Sequence, residues 1–137
     1  MRYLGIDYGQ KRTGLAVCDR AETIASPLKV LTVGRRELVA SIAEIVEREN
    51  IEAIVLGLPL NMDGTAGRQA KSVQDFARRI KEHVRGPVYF HDERLSSFEA
   101  EGKLSGSGLT RKKKKARLDA VAAAAILQSF LDKKHER

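Results

Sequence analysis

Tyr3-Leu4-Gly5-Ile6-Asp7-Tyr8-Gly9-Gln10-Lys11-Arg12-Thr13-Gly14 opens the chain as a strand, a tight turn and the beginning of a second strand. Leu4 and Ile6 alternate with Gly5 and Asp7, so one face of the first strand is apolar and the other carries a lone carboxylate next to a residue without a side chain. Asp is depleted in strands and is seldom buried without a partner or a metal. Asp7 therefore either marks a site or ends a short strand and caps the Tyr8-Gly9 turn.

Working outward, residues 13–18 read as the second strand and residues 24–33 as a third, interrupted or entered at Pro27, which makes an antiparallel meander. The period then changes. Leu38, Val39, Ile42, Ile45 and Val46 fall at helical spacing over residues 37–49. Ala53-Ile54-Val55-Leu56-Gly57 is a short continuous apolar run, the pattern of a strand buried on both faces. Residues 58–67 form a loop by their Pro, Asn, Asp and Gly content. Val73, Phe76, Ala77, Ile80 and Val84 mark a helix that ends at Gly86-Pro87, and residues 88–93 form a fifth strand with two acids at its end. A short helix over 97–104, a Ser105-Gly106-Ser107-Gly108 hinge and an alanine-rich helix over 118–131 complete the reading. The expectation is one α/β domain over 1–137, a five-stranded mixed sheet with three antiparallel strands and then two parallel ones, flanked by helices. A flexible Gly/Ser and basic segment over 105–117 is expected within it. Sites in such sheets form where strand ends and crossovers diverge.

The net charge of +7 is unevenly distributed: residues 1–110 carry +1 and residues 111–137 carry +6. Most of the excess is in Arg111-Lys112-Lys113-Lys114-Lys115 and Arg117. Such a run is either a solvated segment or the footprint of a polyanion binder, and with no aromatic or glycine interleaved it would meet phosphate rather than bases. The single cysteine, Cys18, excludes a disulfide within the chain and a cysteine zinc site, and it reads as core. No run approaches a membrane span, and an acid as early as Asp7 argues against a leader peptide, so a cytoplasmic protein is expected.

Besides Asp7, two acids stand where the local pattern does not want them. Glu93 ends the fifth strand. Asp119 lies between Leu118 and Ala120 with Ala122 and Ala123 one turn on, small side chains that would let its helix lie close on the sheet. The simpler readings are that Asp119 favours the positive start of its helix and that Glu93 pairs with Arg94. Converging carboxylates are also how a protein holds Mg²⁺ or Mn²⁺ for phosphodiester hydrolysis, and an acid cluster on a basic chain suits a nuclease.

Four blocks carry a resemblance to a known family. They are Gly5-Ile6-Asp7-Tyr8-Gly9 with Gly14, Gly57-Leu58-Pro59-Leu60-Asn61-Met62-Asp63-Gly64, Asp92-Glu93-Arg94-Leu95-Ser96-Ser97, and Asp119 with Ala122-Ala123 and Ile126-Leu127. In this order the chain resembles the YqgF family, also called RuvX, of the ribonuclease H-like superfamily, over residues 3 to about 131. The resemblance implies a fold related to the RuvC Holliday-junction resolvases, a bacterial cytoplasmic setting and a nuclease that matures the 5′ end of the 16S ribosomal RNA precursor. Asp7, Glu93 and Asp119 match the family's acidic triad, catalytic and metal-binding. Ser96-Ser97 stands where threonines are more usual. The resolvases carry four acidic or equivalent positions, and three are placed here.

Lys11, Arg12 and Arg94 adjoin the acids and are candidates, with Lys112, Lys113, Lys114, Lys115 and Arg117, for nucleic-acid contact. The expected partner is nucleic acid, structured RNA before branched DNA, with ribosomal precursor particles a further candidate and the chain a monomer or a homodimer. Competing readings are a Holliday-junction resolvase, a non-catalytic RNA-binding assembly factor, and ATP hydrolysis of the actin and sugar-kinase kind. The last needs two lobes, and this chain offers one.

Overall fold

The computed structural model describes residues 1–95 and 111–136, with side chains described throughout except at 111–118. The helix expected over 97–104 and the hinge at 105–108 lie outside the described residues. Five strands, β1 (Tyr3–Asp7), β2 (Thr13–Cys18), β3 (Ala25–Leu31), β4 (Ala53–Leu58) and β5 (Val88–Asp92), form one sheet in the order β3-β2-β1-β4-β5. The β1–β2 and β2–β3 pairs are antiparallel, and β1–β4 and β4–β5 are parallel. The mixed sheet expected from the sequence is thus the sheet observed. Pro27 is accommodated because β3 is an edge strand, and the register shifts at Leu15/Ala16, where Pro27 faces Ala16.

Period-two alternation divides the strand side chains between two layers. Leu4, Ile6, Leu15, Ile54 and Leu56 face α1 (Arg35–Arg48) and α2 (Arg68–Lys81), packing with Leu38, Ile42, Ile45, Val73, Phe76 and Ile80. Tyr3, Ala16, Cys18, Ala53 and Val55 face α3 (Arg111–Lys134), packing with Ala123, Ile126, Leu127 and Leu131. Each fully buried Leu or Ile contributes about 1.5–3 kcal/mol. Gly5 and Asp7 share the α3 side of β1, which puts the carboxylate beneath that helix. α3 begins at Arg111, ahead of the start at 118 read from the alanine pattern, and so takes the basic run into a helix. Cys18 is buried, its sulfur accepting the Tyr3 N–H at 3.3 Å, as its apolar setting led one to expect.

α1 ends in a Schellman motif: the Ile51 N–H reaches the Val46 carbonyl at 2.9 Å and the Asn50 N–H reaches that of Glu47 at 3.3 Å, with Asn50 left-handed at φ 55°. α2 stops at Lys81, short of the Gly86-Pro87 stop, because the His83 and Val84 N–H groups both turn onto the Ile80 carbonyl. Glu22 ties the two ends of the described chain to the β2–β3 turn. Its carboxylate accepts from Lys134 Nζ at 2.6 Å, from His135 at 3.2 Å and from the Met1 amino group at 3.1 Å.

Candidate active site

β1, β4 and β5 run parallel, so their C-terminal ends share one edge of the sheet, and the expected acids gather there. Asp7 closes β1. Its partner across the antiparallel ladder is Gly14, and on the other side Gly57 follows Leu56, the partner of Ile6. These two glycines flank the Asp7 carboxylate, and each makes room for one of the other acids. A Cβ on Gly14 would run into the backbone carbonyl of Asp119, so the absence of a side chain lets α3 settle on β2 at that residue. A Cβ on Gly57 would lie 2.8 Å from Cγ of Glu93, 2.9 Å from its Oε1 and 2.6 Å from Cδ1 of Ile126. Glu93 opens the short 3-10 turn Glu93–Leu95 after β5 and folds back over Gly57 toward Asp7.

The Asp7 carboxyl is pushed well above the ordinary carboxylate range, by burial first, then by its hydrogen bond with Glu93 and by the negative charges of Glu93 and Asp119. It therefore retains a proton where a free Asp has lost it, and donates that proton to Glu93. Asp119, a quarter exposed, accepts from Arg12 Nε at 2.7 Å. Among the described residues no group of three His, Cys, Asp or Glu side chains is arranged to hold a metal ion. Two of the three acids meet directly, while the third is turned to a guanidinium and acts on the pair through its charge.

The remaining candidates are spread around this edge. Lys11 is exposed in the β1–β2 turn beside Arg12. Arg94 pairs with Asp92 at 2.6 Å, and its Nη1 donates to the carbonyls of Asn61 and Met62 at 3.1 Å. That pairing draws the Asp92 carboxyl below its ordinary range. Arg94 thus fastens the 58–67 loop to the end of β5, a role for Asp92 that sequence reasoning missed and that only its spacing of two from an arginine signalled. The side chains of Lys112, Lys113, Lys114, Lys115 and Arg117 lie outside the described residues. His91 is buried and hydrogen-bonds Ser129 at 2.8 Å, with its pKa lowered chiefly by burial.

Asp7, Glu93 and Arg94 open onto a cavity of about 380 Å³ walled by Pro59 and Leu60 on one side and Ala122 and Ile126 on the other. An acidic floor with apolar walls, open to solvent, can receive a cation together with an anionic group bound to it. No helix among the described residues is long and apolar enough to cross a membrane.

The profile of the family described as RuvX, Holliday junction resolvase, matches residues 1–133. A protein of Anaeromyxobacter dehalogenans (strain 2CP-1), named as a candidate pre-16S rRNA nuclease, is 46% identical over 137 residues, covering 98% of each chain. One of Nitratidesulfovibrio vulgaris with the same name is 43% identical over 133 residues, 96% of this chain and 94% of that one. Among solved structures, T. thermophilus RuvC in complex with Holliday junction substrate superposes with a TM-score of 0.62 at 18% identity, covering 98% of this chain and 95% of that one. The Fowlpox virus resolvase with its substrate Holliday junction DNA gives 0.63 at 13% identity, covering 99% and 100%. Identities this low establish a shared fold, which is the ribonuclease H-like architecture expected from the four sequence blocks.

Proposed function

The chain belongs to the RuvX family, and on that footing we propose that it is a nuclease hydrolysing phosphodiester bonds, with the 5′ end of the 16S ribosomal RNA precursor as its substrate in ribosome biogenesis in the cytoplasm. The observation that carries this reading is the Asp7–Glu93 pair, two carboxyls folded together over Gly57, one of them kept protonated by burial and by the other. Paired carboxyls that hold a proton between them are a donor set that a hard divalent cation takes in the proton's place. Asp7 and Glu93 would hold Mg²⁺ or Mn²⁺, joined by Asp119 once it leaves Arg12. Bound there, the ion would supply an activated water and neutralise charge on the scissile phosphate.

The chain's own residues provide the setting. Burial of Asp7 under α3 keeps the carboxyl pair in a low-dielectric place, where its interaction with a cation is strong. Arg12 balances the charge of Asp119 and, next to Lys11 in the β1–β2 turn, would help draw in a phosphate. Arg94 holds the 58–67 loop against β5 and so fixes Pro59 and Leu60 as a wall.

The test is cleavage of an end-labelled 16S precursor leader with Mg²⁺ or Mn²⁺, wild type beside Asp7→Asn, with a four-way DNA junction as second substrate. Cleavage of the RNA that is lost in Asp7→Asn, with RNA binding kept, is the expected result. Binding without cleavage by either protein, on the free leader and on precursor particles, would replace the nuclease with an assembly factor, and preferential cutting of the junction would replace the RNA substrate with branched DNA.

A further inference from the structure

On the face of the sheet away from α3, a groove of about 710 Å³ runs from Tyr8, the residue after Asp7, between the start of α2 and the start of α1. Its cations are Arg35, Arg68, Lys71 and Arg79, together with Arg78, which is held by Asp75. Arg35 and Arg79 also line an adjoining cavity of about 340 Å³ with Arg36, His83 and one acid, Glu82, so a mainly basic track continues between the two helices. Among the described residues, Arg35, Arg68, Lys71 and Arg79 form no ion pair.

The placement of Arg35 and Arg68 runs against local preference, whereas Arg79 stands in the last turn of α2, where a cation is favoured. α1 opens with Arg35 and Arg36 ahead of Glu37, and α2 opens with Arg68 and has no acid in its first turn. The start of a helix is its positive end, where acids are favoured and cations disfavoured. Both helices are entered through glycines, Gly34 and Gly67, with no side-chain cap to take up their first N–H groups. Two uncapped helix starts and four guanidinium or ammonium groups outside any ion pair among the described residues therefore border one groove, whose acid, Asp75, is taken by Arg78, and an anion would relieve the four together. The tyrosine at its mouth is already stacked on Phe76, ring centroids 4.2 Å apart and planes 9° from parallel, and is not offered to a base.

We propose that this groove binds the sugar–phosphate backbone of the nucleic acid on one flank of the cleavage site, holding the strand that passes over Asp7. The proposal rests on the nuclease reading above for the identity of the polyanion. The contacts are with phosphate, so binding here is independent of base sequence and falls with salt. It also accounts for why cations face one another across the groove at a cost to both helices.

The experiment is fluorescence anisotropy of a labelled structured RNA in chelator, where nothing is cut, from 50 to 300 mM salt. It compares wild type, the double variant R68Q/K71Q and the control R85Q, whose cation lies away from the groove. Expected for the double variant is an affinity at least about tenfold lower at 100 mM salt and a salt slope reduced by about one for each phosphate that is no longer neutralised. R85Q should match wild type. The melting temperature of the double variant should be unchanged or raised, because cations are being removed from the positive end of α2. Wild-type affinity and slope in R68Q/K71Q would overturn the proposal. So would weakened binding accompanied by a lower melting temperature, or by a change of oligomeric state in sedimentation, which would make the groove a structural or self-association surface. The two readings fail separately. Groove-dependent binding with no cleavage in Mg²⁺ or Mn²⁺ removes the nuclease and keeps the groove, whereas cleavage with unchanged kcat and KM in R68Q/K71Q removes the groove and keeps the nuclease.

Discussion

With Asp119 in the proposed metal site, Arg12 and a divalent cation would compete for the same carboxylate, since Asp119 accepts from Arg12 Nε at 2.7 Å while its charge already acts on Asp7. The pair is partly exposed, so it is worth about 0.2–1 kcal/mol and not more. Arg12→Gln should therefore tighten Mn²⁺ binding by a factor of about two to five, measured by calorimetry without RNA. An unchanged affinity would show that Asp119 is not a ligand. Asp7 makes the complementary case. Its carboxyl is half-buried against Glu93 and disfavours ionisation, so near neutral pH and without metal the pair is a source of strain in the fold. Asp7→Asn, a neutral isostere able to donate to Glu93, should raise the melting temperature in chelator at pH 8 by about 2–6 °C. If the melting temperature falls, the carboxyl pair is stabilising and is no candidate for a metal site.

The elements reach the site through two close approaches, at Gly14 and at Gly57, while α1 ends away from it. Gly14 lies directly under the Asp119 carbonyl, backbone against backbone, and neither β2 nor α3 can yield locally. Gly14→Ala should destabilise the protein by about 1–3 kcal/mol or more in urea, as overpacking of a rigid contact does, and should move Asp119 away from Asp7. The end of α1 tests the reverse sign. Asn50 sits at φ 55° as the left-handed residue of the Schellman motif, and glycine takes that conformation without a Cβ penalty. Asn50→Gly is expected to stabilise by a few tenths to about 1 kcal/mol and Asn50→Val to destabilise by about 1–2 kcal/mol, both read from urea midpoints. The Gly14 effect is felt at the carboxylates, whereas the Asn50 effects are confined to the backbone at the end of α1.

At the scale of the whole molecule, Glu22 joins the β2–β3 turn to both ends of the described chain, through the Met1 amino group and through Lys134 and His135 beyond the body of α3. Its pKa is lowered to about 2, chiefly by the hydrogen bond from Lys134. A carboxylate with a depressed folded pKa stabilises the fold above its ordinary value, near about 4.3, and loses that contribution as the pH falls through the folded value. The melting-temperature gap between wild type and Glu22→Gln should be constant above about pH 5 and close between about pH 4.5 and pH 2. A gap that persists unchanged at pH 2 would mean the carboxylate is not tied to Lys134 in solution. Charge works on the other face as well, where α1 and α2 carry cations at their starts and the structure gathers them into one groove.

Residue types and spacing alone determined the order of the elements and the change from antiparallel to parallel pairing, and marked three acids as candidates, because alternation and helical period are local properties that each segment writes for itself. Asp7 stood out for the same reason: a strand has no local use for a carboxylate. Only the tertiary structure decided which charges meet. Arg94 turns to Asp92, and Arg12 crosses from the β1–β2 turn to Asp119 on α3, 107 residues away. The basic groove was likewise illegible, because Arg35 and Arg68 belong to different helices and each alone reads as an ordinary surface charge. Their convergence depends on the sheet, which sets two helix starts side by side. The folding of Glu93 over Gly57 depends on it too, since it requires β4 and β5 to be neighbours. Periodicity is written along the chain, but a site assembled across strands exists only once hydrogen bonding and burial have fixed which strands are adjacent.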